Sequence, residues 1–225
     1  MKNILLWGAG VQSFICQNAF LSKRLKIFKN HQIKYLYDST ITKPSYEIFC
    51  KFINNKKRLN EIILKSDSFH VCIGGVYQPA KKFISEKLLE KKLKPQEFIC
   101  KSAYIDKNSK IGKGNCIMEF AKIMSGCEIG NFNTIHNSAI IGHQVKINNY
   151  VWISPMSNIL GKVIIEDEVF IGGSATILPR IKIGKGSIIA DGAVVIKDVK
   201  PNTFVAGNPA KIKKLKKKIH ILNEF

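Results

Sequence analysis

The chain has 225 residues, 45% of them hydrophobic, with 36 basic against 16 acidic residues and a formal net charge of +20. Only three basic residues are arginine, and no group of aromatic residues that could stack on bases accompanies the lysines, so nucleic acid is disfavoured as a partner. The composition favours a solvated, lysine-rich surface that attracts acidic ligands. The start lacks the features of a signal peptide and no apolar run could span a bilayer, so we expect a cytoplasmic protein with no membrane insertion.

The first predicted elements lie in residues 1–95 and form a Rossmann-like domain. An apolar run at 3–7 ends in Gly8 and Gly10, and residues 11–25 have the composition of a helix. A strand, a glycine turn and a helix in this order open a nucleotide-binding βαβ unit. Backbone geometry alone could also explain the turn, but its position between strand and helix favours contact with a ligand.

Two further strands end at candidate ligand positions. The second strand, 33–37, is followed by Asp38, roughly where an acidic residue can meet a ribose hydroxyl. A third short strand, 71–73, ends in Gly74 and Gly75, where backbone can approach a ligand or simply turn. The segment is too short for two mononucleotide-binding halves, so the expected ligand is the nucleotide part of a sugar nucleotide and not NAD.

Two helices complete this part of the prediction. Residues 44–66 are expected to be mostly helical and polar, and a lysine-rich amphipathic helix is expected from about Pro79 to Lys92. Pro95 marks the predicted domain boundary, because the spacing of apolar residues changes there.

From Ile99 to Val195 an aliphatic residue occupies every sixth position, without a slip over seventeen hexads. The fourth residue after each of these anchors is small or aliphatic in most hexads. So short a fixed period indicates stacked units that bury their apolar edges only against their neighbours. Three hexads close one triangular coil, which predicts five coils and two further hexads.

These hexads and the tail sequence Gly207-Asn208-Pro209-Ala210-Lys211 resemble the hexapeptide-repeat acyltransferases. Within them the chain is most similar to bacterial sugar acetyltransferases of the sialic-acid O-acetyltransferase and nucleotide-aminosugar N-acetyltransferase type. The resemblance implies a left-handed parallel β-helix over 96–203 and a basic tail over 204–225 with a short capping helix. It also implies a homotrimer with active sites between subunits and acetyl-CoA as the acyl donor.

The catalytic candidates lie in the coils. The segment Ser138–Gln144 matches the family pattern Ser-Ala-x-Ile-x-His-(Asp/Glu) at all but its last residue, which implies that His143 is the general base. Gly161 follows one full coil later, and its backbone N–H is the expected donor to the thioester oxyanion. Gln144 stands where a carboxylate is usual, and a neutral amide can orient the imidazole but stabilises its cation less strongly.

Other candidate binding residues follow from the same resemblance. Acetyl-CoA is expected against the following positions in the coils and tail: Trp152, Gly161, Gly173, Asp191, Gly207 and Pro209. Trp152 could equally pack at an interface. The sugar nucleotide is expected near the N-terminal turns and one coil histidine: Gly8, Gly10, Gln12, Asp38, Gly74, Gly75 and His136. Val11 and Gln12 replace the glycine and histidine usual in the family, and His136 could be a polar corner residue only.

We therefore predict an acetyl-CoA-dependent N-acetyltransferase that acts on a nucleotide-linked aminosugar in bacterial surface-glycan or glycoprotein biosynthesis. Two alternatives remain open: O-acetylation of a sialic-acid-like sugar, and a catalytically silent protein that binds a sugar nucleotide. A metal hydratase is disfavoured because only His136 and His143 lie in the coils. The six cysteines show no metal-ligand spacing, so no metal is expected and we assign them no chemistry.

Overall fold

The computed structural model describes residues 1–26 and 30–214. Its N-terminal part alternates strands and helices, in the chain order β1 Lys2–Trp7, α1 Val11–Leu21, β2 His31–Tyr37, β3 Lys51–Ile53, a 3₁₀ turn Lys56–Arg58, α2 Leu59–Leu64, β4 Ser68–Val71, α3 Gln78–Glu90 and β5 Lys94–Pro95.

The five N-terminal strands form one parallel sheet in the order β3-β2-β1-β4-β5. The order reverses between β1 and β4, and Trp7 at the end of β1 is paired with both Tyr37 and Val71. The turns after these strands therefore meet at one edge of the sheet. In open parallel sheets the crevice at such a switch point is where ligands bind.

Three predicted elements in this part were wrong in type or extent. Residues 44–66 are not mostly helical, because Lys51–Ile53 pairs with β2 at the sheet edge and only Leu59–Leu64 forms an α-helix. The third strand ends at Val71, where its pairing with β1 ends. Helix α1 ends at Leu21, since Lys23 adopts a left-handed conformation with φ of 54°.

Seventeen two-residue strands follow, and each ends on a hexad anchor as the sequence predicts. They are β6 to β22, in chain order Phe98–Ile99, Tyr104–Ile105, Lys110–Ile111, Cys116–Ile117, Lys122–Ile123, Glu128–Ile129, Thr134–Ile135, Ile140–Ile141, Lys146–Ile147, Trp152–Ile153, Asn158–Ile159, Ile164–Ile165, Phe170–Ile171, Thr176–Ile177, Lys182–Ile183, Ile188–Ile189 and Val194–Val195.

These strands build a triangular parallel β-helix, because each strand inside the stack pairs with the strands eighteen residues before and after it, as in Ile123↔Ile141↔Ile159. We call the three sheets face A (starting with β7), face B (starting with β8) and face C (starting with β6). From residue 114 to residue 192 the fourth residue of every hexad has positive φ, which turns the chain at each corner.

The described part of the tail is a strand and not a helix. Phe204–Ala206 (β23) adds to face C beside β21, and Lys211–Lys213 (β24) pairs with it antiparallel. The open edge of the last coil offers unpaired backbone groups, and an added strand satisfies them. The predicted capping helix is therefore wrong for Lys211–Lys213, and the rest of that prediction lies in 215–225, outside the described residues.

The α/β part packs directly on the coils. Phe132 and Tyr150, from face C corners, join the core that lies under β1 and β4, and Phe132 stacks on Phe69 with ring centroids 6.1 Å apart. Ion pairs cross the same junction from Arg24 to Glu119 at 2.6 Å and from Lys82 to Glu168 at 3.2 Å. Among the described residues, no helix has the length and apolar character needed to cross a membrane.

Candidate functional site

His143 and Gly161 meet at the corner between faces A and B. His143 is exposed, and its imidazole fills the space that a side chain at position 161 would occupy: an added Cβ would lie 2.7 Å from Cε1 and closer still to Nε2. Real Cβ atoms do not approach other heavy atoms so closely. The structure thus places the two predicted catalytic residues in contact, with Nε2 of the imidazole directed at the Gly161 backbone.

The backbone N–H of Gly161 donates no hydrogen bond within the described residues. At several other corners the equivalent N–H is bound by a side chain one coil further on, as Asn149 N–H is by Asp167 at 2.9 Å and Gly173 N–H by Asp191 at 2.5 Å. One coil after Gly161 stands Pro179, whose hydrocarbon ring offers no acceptor. The corner therefore presents a free donor beside the imidazole of His143.

Gln144 can set the tautomer of that imidazole. Its Oε1 lies 3.4 Å from His143 Nδ1, and an amide oxygen can only accept, so the contact favours a proton on Nδ1. Nε2, the nitrogen that faces Gly161, then carries the lone pair. The amide supplies orientation without the negative charge that a carboxylate would add.

Apart from Gly161, the residues predicted for acetyl-CoA lie away from this corner. Gly173 and Asp191 occupy the corner between faces C and A, where the Asp191 carboxylate accepts the Gly173 N–H. Gly207 and Pro209 lie in the turn that joins β23 to the antiparallel strand β24. A cavity of about 540 Å³ is lined by Pro209 together with side chains from the last hexad.

Trp152 lies elsewhere again, against the N-terminal sheet. Its indole packs on Gly74, where an added Cβ would be 2.5 Å from the indole Cη2, and its Nε1 donates to Ser154 Oγ at 3.0 Å. The His136 ring lies 4.6 Å from it, centroid to centroid. Both side chains line a pocket of about 250 Å³ together with Gly10 and Gln12. The structure thus groups Trp152 with the residues predicted for the sugar nucleotide.

The turns at the switch point are held by specific contacts. Gly8 has φ of 96°, and a Cβ added there would lie 3.3 Å from the Cys72 carbonyl oxygen. Both facts favour glycine at this position. Asp38 Oδ2 accepts the Ala9 N–H at 2.8 Å, and its other oxygen accepts from Thr40. Gly75 also has positive φ, at 62°. Asp38 therefore shapes the glycine turn, and its Oδ2 accepts only one of these three hydrogen bonds.

Two polar atoms on residues that line the pocket have no hydrogen-bond partner among the described residues, Gln12 Oε1 and His136 Nε2, although both side chains are at least nine-tenths buried. Unpaired buried polar atoms are costly. Lys81 lies nearby and was not among the predicted site residues. It occupies the apolar face of α3 with Ile84 and Leu88, and this helical spacing was the signal available in the sequence.

Burial lowers the pKa of both basic side chains in this region, Lys81 and His136. Burial lowers the pKa of Lys81 to about 8, and its Nζ donates to Thr134 Oγ1 at 2.9 Å. Burial also lowers the pKa of His136, from 6.5 to about 4, and the nearby Lys81 ammonium contributes in the same direction. The pocket therefore holds a neutral imidazole at neutral pH.

We expect the neutral state of His136 to make the fold acid-sensitive. Its folded pKa lies below its unfolded value, so the stability is complete above about pH 6.5 and is lost as pH falls towards about 4, by up to about 3 kcal/mol. Urea unfolding at several pH values would show this loss in the wild type and a smaller one in His136→Asn. Parallel curves for the two proteins would contradict a buried neutral imidazole.

Comparison with known proteins places these features in context. Residues 108–143 and 162–197 match the family described as bacterial transferase hexapeptide (six repeats). No curated protein matches the chain in sequence. Several solved structures share its fold over nearly its full length.

One is a His-to-Asn mutant of perosamine N-acetyltransferase from Caulobacter crescentus in complex with CoA and GDP-perosamine, at 18% identity and a TM-score of 0.84 over 95% of this chain and 98% of that chain. A second is the acetyltransferase domain of PglB from Neisseria gonorrhoeae, at 21% identity and a TM-score of 0.82 over 95% and 100%. A third is WeeI from Acinetobacter baumannii, at 23% identity and a TM-score of 0.79 over 95% and 100%.

The predicted fold class is therefore confirmed, as an α/β part followed by a left-handed parallel β-helix, with the exception of the helical tail. The chain thus carries bacterial transferase hexapeptide repeats over these two stretches and shares its fold with the three solved structures.

Proposed function

Since the coils carry bacterial transferase hexapeptide repeats and the fold is that of sugar N-acetyltransferases, we propose that this chain transfers an acetyl group from acetyl-CoA to a nucleotide-linked aminosugar. The observation that carries the proposal is the corner formed by His143 and Gly161. It sets a base with a free lone pair beside a free backbone donor, which are the two groups that acyl transfer requires.

In the proposed reaction His143 acts first as a base and then as an acid, and the Gly161 N–H stabilises the oxyanion. The amine of the sugar attacks the thioester carbonyl, and His143 Nε2 takes the proton that the amine loses. The negative charge that develops on the carbonyl oxygen is stabilised by the Gly161 N–H. When the tetrahedral adduct collapses, the C–S bond breaks and the CoA sulfur leaves, receiving a proton from the imidazolium.

An amine acceptor fits this site better than a hydroxyl. Gln144 orients the imidazole through Oε1 but cannot stabilise its cation as a carboxylate would. A neutral amine is the stronger nucleophile and depends less on a base during attack. The neutral residue at 144 therefore supports N-acetylation, and O-acetylation of a sialic-acid-like sugar becomes an outcome of the test.

The nucleotide is proposed to lie at the switch point of the N-terminal sheet, against the turns at Gly8–Gly10 and Gly74–Gly75. Asp38 stands at this edge, and the pocket with Gln12 and His136 opens beside it. Lysine-rich surroundings favour an acidic ligand. The placement of Trp152 against Gly74 supports a role there in preference to CoA binding.

We further propose that the protein is a homotrimer. His143 and Gly161 lie at one corner of face A, whereas Gly173 and Asp191 lie at its other corner, so one chain does not bring the two groups together. Face A and its corners also expose large apolar side chains, namely Tyr104, Phe120, Met124, Ile140 and Met156. A neighbouring copy packed on face A would cover them and would complete the site from two chains.

The test of the function is release of the CoA thiol from acetyl-CoA with a panel of UDP-, dTDP- and GDP-linked aminosugars and free sialic acid. We expect turnover with an aminosugar nucleotide and an acetylated nitrogen in the product. Turnover with sialic acid alone would identify an O-acetyltransferase. Binding of a sugar nucleotide without any turnover would identify a silent binding protein and contradict the proposal.

Gln144→Glu should raise the rate of transfer. A carboxylate beside an exposed imidazole stabilises its cation by roughly 0.2–1 kcal/mol, which corresponds to an increase of roughly 1.4- to 5-fold in kcat. Steady-state assays on the best acceptor would measure this, with Gln144→Ala as the matched control that removes both orientation and charge. A slower Gln144→Glu enzyme would show that the amide has a role other than orienting His143.

A further inference from the structure

Three side chains that are far apart in the sequence meet in the buried junction between the α/β part and the coils. Cys16 lies on α1, His70 on β4 and Cys116 on β9. The two sulfurs and a ring nitrogen of His70 all lie within 4.8 Å of one another. The three residues are almost completely excluded from solvent.

His70 is oriented as a ligand. Its Nδ1 lies 2.9 Å from the Gln96 carbonyl oxygen, which can only accept, so Nδ1 carries the proton and Nε2 keeps its lone pair. Nε2 is buried and makes no hydrogen bond of normal geometry in the described part of the chain, and the Cys116 thiol is close enough to His70 for the two side chains to interact. A backbone carbonyl that holds one ring nitrogen while the other is left bare is the usual arrangement of a metal-bound histidine.

We propose that Cys16, Cys116 and His70 bind a zinc ion that joins the N-terminal sheet to the β-helix. Two thiolates and a neutral imidazole form a soft ligand set that suits zinc. Tetrahedral zinc with bonds of about 2.3 Å to sulfur separates its ligand atoms by about 3.8 Å, so the three atoms need to approach by at most about 1 Å. The site is separate from the corner formed by His143 and Gly161, although Gln12 and Cys72 also line the pocket proposed for the sugar nucleotide.

Cys72 is the fourth ligand in this proposal. It is buried directly after β4, and it acts on the Cys16 thiol by raising the pKa of that group, but its sulfur is not among the three ligand atoms that lie within 4.8 Å of one another. Cys72 therefore has to move further than the other three to complete the site. Gln12 Nε2 donates to Cys16 Sγ at 3.7 Å and to Cys116 Sγ at 3.5 Å, which are long contacts that can orient both sulfurs. The cluster thus has three ligand atoms close together, a proposed fourth ligand after β4 and a second layer of polar contacts.

The charges balance when Lys81 is included. A zinc ion with three thiolates carries one negative charge, and each thiolate forms by loss of its thiol proton to solvent. Lys81 is buried, and it makes no ion pair among the described residues. Its Nζ bonds Thr134, which is paired with Cys116 on the neighbouring coil. The ammonium is therefore placed to neutralise the site.

The test is the metal content of the full chain, purified in reductant and without a histidine tag. Plasma mass spectrometry should find about one zinc per chain. Refolding with Co²⁺ should give a thiolate-to-cobalt charge-transfer band. Cys16→Ser and Cys72→Ser should each lower the zinc content at least fivefold. Cys50→Ser is the matched control, since Cys50 is partly exposed and lies outside the cluster.

Wild-type protein with less than about a tenth of a zinc per chain and no cobalt band would overturn the proposal. An equal loss of zinc in Cys50→Ser would do the same, because it would indicate binding to thiols in general. So would a Cys16–Cys116 disulfide in a parallel preparation made without reductant. If Cys16→Ser does not fold, Cys72→Ser and the cobalt spectrum of the wild type decide. None of these measurements depends on transferase activity.

Discussion

His143→Ala is expected to lower kcat for acetyl transfer by roughly 10²- to 10⁴-fold, the loss typical of removing a general base. The imidazole is exposed at the corner between faces A and B, and its Nε2 faces the Gly161 backbone. Without it the attacking amine must lose its proton to water. The KM for acetyl-CoA should change little, because the residues expected to bind CoA, apart from Gly161, lie away from His143.

Circular dichroism and thermal unfolding provide the control for this variant. Because the His143 side chain is exposed and makes a long contact to Gln144, its removal should leave the melting temperature nearly unchanged. A folded His143→Ala protein with the wild-type rate would exclude His143 as the base. In that case the buried His136 would be the remaining histidine of the coils to examine.

Gly161→Ala should have the second-largest effect, a loss of roughly 10²- to 10³-fold in kcat, comparable to removal of an oxyanion donor. The new methyl group would lie under 3.0 Å from three atoms of the His143 ring. The ring must then swing outwards, away from the donor N–H. Because the ring is exposed and can move, we expect the fold to remain intact and only the catalytic geometry to be lost.

A double-mutant cycle separates this explanation from a general disturbance of the coil. In a His143→Ala background the imidazole that Gly161→Ala displaces is absent, so the second substitution should cost much less than it does in the wild type. Stopped assays with the best acceptor would measure all four rates. Fully additive losses would show that Gly161 acts without any coupling to His143.

The β-helix could be predicted from the sequence because its order is local. Each hexad buries its own anchor against the hexads eighteen residues away, so three consecutive hexads form one coil. Anchors such as Ile135, Ile153 and Ile171 are fully buried as this pattern requires. The β-strand, glycine turn and helix at the N-terminus could likewise be predicted, since each is defined by adjacent residues.

Pairing between distant segments could not be predicted from the sequence in the same way. Lys51–Ile53 became a strand because β2 offered an open edge, although its own composition suggested a helix. The tail strand Lys211–Lys213 formed for the same reason on β23. In both cases hydrogen bonds to a neighbour outweigh the weak preference of a short polar segment.

The sequence by itself determined the repeat, the order of the two parts and the motif around His143, because each depends on the spacing of residues along one stretch. Only the tertiary structure decided that Trp152 packs on Gly74, that Lys81 is buried beside Thr134, and that Cys16 meets Cys116 and His70. These contacts arise where the α/β part docks on the coils. The energy of docking depends on the shapes of two complete surfaces, which no local pattern records.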